Sequence, residues 1–205
     1  MSVITLTKIN YEDAVKEAVK ILKAGGIIAY PTESFYALGA MALHEKAVKK
    51  IFDLKNRPYG KPLPLIVGDI HTLLTAAKEI PDHAKDMMEK FWPGPLTMIF
   101  EARKEVPLLI TGESRKVAVR VPGESAALHI AKAIKVPVTA TSANLSTQPP
   151  AINTDEVLSY FGDKIDLILD GGNAPGGKPS TILDVTVTPP RILREGSIAL
   201  NNQAI

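Results

Sequence analysis

Cations set among turn-forming residues are the first chemistry this chain offers. Lys55, Arg57 and Lys61 fall in one loop that also holds Pro58 and Gly60, Arg120 precedes Val121-Pro122, and Arg194 precedes Glu195-Gly196. A solvated helix face would space its charges along one stripe, whereas these lie at strand ends and in turns, where anion-binding residues commonly sit. Any one of them would equally suit a solvated surface. The run Thr139-Ala140-Thr141-Ser142-Ala143-Asn144 adds hydroxyl and amide donors just after a strand beginning at Val138. That is what a phosphate cradle needs, and it would equally serve as an N-cap and turn.

Other chemistries are excluded by residue type or spacing. The chain contains no cysteine, which removes disulfide scaffolds, thiolate zinc sites, iron–sulfur ligation and Cys nucleophiles. His44, His71, His83 and His129 are far apart, with no second ligand at i+4 on a shared face, so no metal site is expected. No Gly-x-Ser-x-Gly elbow is present to expose a nucleophilic serine. Gly172 to Lys178 matches the opening of a P-loop, G-x-x-x-x-G-K. Pro179 then takes the place of the magnesium-binding hydroxyl, and Thr181 to Val187 alternates like a strand where a P-loop needs a helix. A Gly/Pro-rich loop near a site is the better reading.

The elements that must position these residues come from a chain of 205 residues, 45% hydrophobic, enough for one sizeable core. Lys plus Arg number 24 against 22 Asp plus Glu, a net charge of +2, so bulk charge drives no association with polyanions. The N-terminus lacks a signal-peptide h-region, and no apolar run approaches the roughly 18 residues of a membrane span. Together with the missing cysteine, this leads us to expect a cytoplasmic protein.

Helices are expected after an Asn10 N-cap up to Gly25-Gly26, over His44–Leu54, Ile70–Lys78, Asp82–Phe91, Ser125–Ile134 and Thr154–Tyr160. Strands are expected over Ile27–Tyr30, Leu63–Val67, Leu96–Phe100, Val117–Val121, Val138–Thr141, Leu167–Leu169 and Thr181–Val187. Their alternation points to an α/β, or interleaved α+β, architecture around one sheet, in one domain over residues 1–205.

Seven segments in order resemble the YrdC-like family of threonylcarbamoyl-AMP synthases. They are Gly25 to Ser34 with Tyr36 to Gly39, Lys55 to Leu63, Trp92 to Thr97, Val117 to Pro122, Thr141 to Ser146, Pro179 to Asp184, and Ile192 to Ser197. The resemblance extends over about residues 14–198 and implies the family's single-domain form, ending at Ile205. It also implies a twisted mixed sheet flanked by helices, with a concave basic face. The implied activity is condensation of L-threonine, bicarbonate and ATP to threonylcarbamoyl-AMP and pyrophosphate, for N6-threonylcarbamoyladenosine in tRNA.

By the same resemblance, Lys55, Arg57 and Arg194 serve catalysis by neutralising charge on the departing pyrophosphate. Lys55, Tyr59, Lys61, Ser142, Asn144 and Arg194 face ATP. Thr32, Arg120, Ser180 and the backbone of Ala140 hold threonine, Arg120 taking its carboxylate in a bidentate grip. Mg2+ is implied as an ion bound to the ATP phosphates and not to a protein cage. tRNA and a threonylcarbamoyl-transferring machinery are the implied partners. Two other readings stand beside the synthase. One is a non-catalytic module binding tRNA or double-stranded RNA, disfavoured by an aromatic content of only 5%. The other is a paralogue with a different carbamoylated substrate.

Overall fold

The computed structural model of the protein describes residues 1–200; positions 201–205 of the expected domain lie outside the described residues. In chain order the elements are β1 (Ser2–Thr5), α1 (Tyr11–Lys23), β2 (Ile28–Pro31), β3 (Tyr36–Gly39), α2 (Glu45–Lys55), β4 (Leu65–Ile66), α3 (Ile70–Leu73), α4 (Asp82–Phe91) and β5 (Leu96–Glu101). They continue with α5 (Leu108–Thr111), β6 (Lys116–Arg120), α6 (Ala126–Ile134), β7 (Val138–Thr139), β8 (Thr141–Ser142), α7 (Thr154–Phe161), β9 (Leu167–Asp170), β10 (Thr181–Asp184) and β11 (Arg191–Arg194).

Helix α1 forms because Ala14, Val15, Ala18 and Leu22 recur at helical spacing and share a buried face, while Glu12, Lys16 and Lys20 stay outside. That face meets Ala127, Ile130, Ala131 and Ile134 of α6 over Ile28 and Tyr30 of β2 and Leu167 and Leu169 of β9. A fully buried leucine such as Leu22 contributes roughly 2 kcal/mol. The intervening residues Ala29 and Ile168 point the other way, into a second and larger core. These strands are covered on both faces, which is why they read as continuous apolar runs.

The strands divide between two mixed sheets, one of five strands in the order β1-β9-β2-β3-β8 and one of six in the order β11-β10-β5-β6-β4-β7. The expected mixed α/β class holds, but the single sheet becomes two. The division occurs inside the run expected as one strand, Val138–Thr141. Thr139 pairs with Leu65 in the six-stranded sheet, Thr141 pairs with Leu38 in the five-stranded sheet, and Ala140 is the single residue between. Its N–H donates to the Pro64 carbonyl at 2.8 Å, outside either ladder.

Other differences have local causes. Asn10 precedes α1 but does not cap it. Its side chain accepts from the Thr7 N–H at 2.8 Å and donates to the Thr5 carbonyl at 2.9 Å, closing the preceding turn. The helix expected over Ile70–Lys78 is a single turn, capped by Asp69 accepting from the Thr72 N–H at 2.6 Å. Strands β1, β3 and β11 were not expected. Each has four residues, and β1 and β11 are mostly exposed edge strands without a clear alternating signal. The turn after α1 needs a left-handed residue, and Gly25 supplies it with φ +79°.

Candidate active site

Period-two alternation along the six-stranded sheet builds the floor of a cleft of about 700 Å³. On β5, Leu96, Met98 and Phe100 enter the core while Thr97 and Ile99 line the cleft. On β6, Val117 and Val119 go inward, and Ala118 and Arg120 face the cleft. Ile182 of β10 and Arg194 of β11, paired in register, continue the same surface. The opposite wall comes from the β2–β3 turn through Thr32, Ser34 and Phe35, from Ala140 to Ser142, and from Arg57, Pro62 and Pro64.

Three guanidinium groups therefore share one cleft. Arg57 donates from Nη2 to the Pro62 carbonyl at 2.8 Å and from Nε to the Lys61 carbonyl at 3.4 Å. Arg194 donates to the Ser180 carbonyl. Arg120 is buried and ion-paired from Nη1 to Glu33 Oε1. That is its one hydrogen bond among the described residues, from a group with five N–H donors. Burial lowers the pKa of Arg120 to about 10, with the neighbouring Arg194 charge acting in the same direction. A buried guanidinium with unused donors in a cleft has the fork geometry suited to a carboxylate or phosphate.

Lys55, at the end of α2, is almost fully buried and stands behind the cleft wall. Its ammonium donates to the carbonyls of Ser142 and Asn144 and to Asn144 Oδ1, the last at 3.2 Å. Asn144 is equally committed: Nδ2 donates to the Leu145 and Gln148 carbonyls at 2.8 and 2.6 Å, and Oδ1 also accepts from the Ser142 hydroxyl. Lys55 and Asn144 thus hold the loop that presents Ser142, and neither lines the cleft in this arrangement. Burial, and then the Arg57 charge, lower the Lys55 pKa to about 7.

Of the residues expected at the site, Thr32, Arg57, Arg120, Ala140, Ser142, Ser180 and Arg194 line this one cleft. Tyr59 and Lys61 do not. Tyr59 turns away to stack on Phe52, with ring centroids 5.3 Å apart, and its hydroxyl donates to Asp53, while Lys61 is exposed. The Thr32 hydroxyl organises its own turn, donating to the Phe35 carbonyl at 2.8 Å and accepting from the Ser34 and Phe35 N–H groups. The Ala140 carbonyl accepts no hydrogen bond among the described residues. Two contributors were not singled out from sequence. Thr97 bonds the Ser180 hydroxyl at 2.8 Å, and strand alternation in β5 carried that signal. Glu33 pairs with Arg120, and its placement between Thr32 and Ser34 was the only hint.

No group of three or more His, Asp or Glu able to hold a metal occurs among the described residues, and the cleft lining contains no carboxylate. No helix among them is long and apolar enough to cross a membrane.

A cleft lined by three arginines, several hydroxyls and an open carbonyl, over one sheet of a two-sheet α/β fold, defines the class. The chain belongs to the Sua5/YciO/YrdC family, whose model, described as telomere recombination, matches residues 20–196. It is 40% identical over 197 residues to a threonylcarbamoyl-AMP synthase of Pyrococcus abyssi, covering 94% of this chain and 58% of that protein. To one of Vibrio campbellii it is 36% identical over 183 residues, covering 88% of this chain and 98% of the other.

Among solved structures, Pyrococcus abyssi Sua5 complexed with L-threonine superimposes with a TM-score of 0.92 at 38% identity, covering 97% of this chain and 58% of that one. Escherichia coli YciO gives 0.82 at 30%, covering 95% and 94%. The chain thus spans little more than half the length of its Pyrococcus abyssi relative, and 54% of a Bacillus subtilis relative.

Proposed function

We propose that this chain is an ATP-dependent threonylcarbamoyl-AMP synthase that joins L-threonine, bicarbonate and ATP. The observation that carries the reading is the shared cleft, lined by a buried Arg120 with unused donors and by Arg57 and Arg194. Arg120 suits the carboxylate of an amino acid, with the Ser180 hydroxyl and the Ala140 carbonyl beside it as acceptors for the amine. Family relatives named for this activity, and a Sua5 structure holding L-threonine, support the assignment.

The chemistry asks for positioned cations and no protein nucleophile. Threonine's amine and bicarbonate give a carbamate with loss of water, and a carbamate oxygen attacks the α-phosphorus of ATP. A new O–P bond forms, the bond to the bridging oxygen breaks, and the electron pair leaves on pyrophosphate. Charge developing on that group is neutralised by Arg57 and Arg194, while Lys55 and Asn144 fix the Ser142 loop against which the nucleotide lies. Mg2+, if bound, would be held through the ATP phosphates and would supply charge neutralisation there, since the lining offers it no carboxylate. The product is an activated threonylcarbamoyl group for tRNA modification in the cytoplasm.

The test is pyrophosphate release from ATP with and without threonine and bicarbonate. Release that requires both supports the reading. Release indifferent to threonine rejects it, and tight tRNA binding without any release would favour an RNA-binding module.

A further inference from the structure

The three cations of the cleft are balanced unequally. Arg57 and Arg194 bond only neutral groups: the carbonyls of Lys61 and Pro62 for the first, the carbonyl and hydroxyl of Ser180 for the second. Arg120 alone bonds a carboxylate. Glu33 does not line the cleft; it borders an adjoining cavity of about 800 Å³ together with Lys8, Tyr11, Glu124 and His129. Its carboxylate therefore meets the guanidinium from behind. Its second oxygen, Oε2, is enclosed without a hydrogen bond among the described residues, so the Arg120 contact is its one polar tie there.

This imbalance has a chemical consequence. A buried, planar guanidinium with free donors is a better host for phosphate than a rim arginine, because less water competes for it. Left uncompensated, Arg120 would draw the polyphosphate of ATP, or released pyrophosphate, onto its own donors. With Glu33 behind it the pair carries no net charge. A polyphosphate seated on Arg120 would then stand against a carboxylate with nothing of its own to offset the repulsion. An amino acid brings a carboxylate for Arg120 and an ammonium that the Glu33 charge favours.

We infer that Glu33 is a specificity-determining residue, which neutralises Arg120 so that its free donors accept a zwitterion and leave the polyphosphate to Arg57 and Arg194. The inference rests on the synthase reading for the identity of the zwitterion, L-threonine. Glu33 acts through Arg120 and touches no reacting atom.

The experiment is calorimetric titration of L-threonine into the protein with and without millimolar inorganic pyrophosphate. In the wild type, pyrophosphate leaves the threonine Kd unchanged. In Glu33→Gln, which keeps the acceptor and loses the charge, pyrophosphate competes and raises the apparent Kd by about tenfold. Glu33→Asp, which keeps the charge, behaves as the wild type. Insensitivity of Glu33→Gln to pyrophosphate, or competition in Glu33→Asp equal to that in Glu33→Gln, overturns the inference.

Should Glu33→Gln fail to fold, the wild type is titrated with 2,3-dihydroxybutyrate, in which a hydroxyl replaces the ammonium of threonine. Binding at least about tenfold weaker than threonine supports the charge balance, and equal binding overturns it. If the wild type binds no L-threonine, the synthase reading fails separately. Pyrophosphate alone then remains the probe: one site in the wild type and a second in Glu33→Gln support the partition, and equal stoichiometry removes it.

Discussion

Arg194 holds Ser180 from two nitrogens at once, Nε reaching the carbonyl at 3.1 Å and Nη2 at 2.8 Å, while Nη2 also donates to the hydroxyl at 3.1 Å. The same guanidinium that lines the cleft thus sets the position of the Ser180 hydroxyl, which Thr97 also bonds.

An ammonium cannot reproduce that fork. Arg194→Ala is expected to lower kcat/KM for ATP by about 100-fold, and Arg194→Lys to recover only part of it. Because Arg194 is exposed, the unfolding midpoint should move little. Pyrophosphate-release kinetics beside a thermal melt check both, and wild-type rates in the two variants would remove Arg194 from the machinery.

Removing Arg120 leaves the Glu33 carboxylate enclosed without its partner. Arg120→Ala should cost about 3 kcal/mol in urea unfolding, and adding Glu33→Ala should restore a good part of it, because the uncompensated charge goes too. A double variant no more stable than Arg120→Ala would mean that the pair is uncoupled.

Lys55 makes folding depend on pH in a defined direction. Its pKa is lowered from 10.5 to about 7 in the folded protein, so between those values the unfolded chain holds a proton that the native state has released. Stability from this group therefore rises as pH increases from about 7 toward 10, the opposite of a lysine stabilised by a carboxylate. Lys55→Met removes that slope while leaving the Ser142 and Asn144 carbonyls without their donor, an expected loss of about 1–3 kcal/mol. Unfolding midpoints of both proteins across pH 6 to 10 give the comparison.

Gly25 tests the end of α1. Its φ is +79°, and a Cβ there would lie 2.9 Å from Nε2 of His44, whose Nδ1 caps α2 by accepting from the Ala47 N–H. Gly25→Ala should lower stability by about 1–2 kcal/mol, a drop in Tm of a few degrees, with the KM values unchanged.

The sequence made the cleft's inventory legible better than its geometry. Arg57, Arg120 and Arg194 could be picked out because cations at strand ends and turns are unusual unless something anionic meets them. Whether a cation faces ligand or scaffold depends on partners distant in the chain. Lys55 spends its hydrogens on carbonyls 87 and 89 residues away, and no local pattern shows that. The amphipathic helices α1, α2, α4, α6 and α7 were readable from their apolar period. The separation into two sheets was not, because Val138 to Thr141 has the same apolar and β-branched character on either side of the break. Only the partner strands, β4 on one side and β3 on the other, decide it.

Ala140 gives that break a mechanical meaning. With Thr139 fixed in one sheet and Thr141 in the other, the shortest covalent link between the two is a single residue, and it lies in the cleft wall. The torsions that carry the chain from one sheet to the other are also those that aim the Ala140 carbonyl, and the N–H of the same residue is tied to Pro64, just before β4. The direction of that open acceptor is therefore set by how the two sheets meet, and a change in their relative angle would turn it.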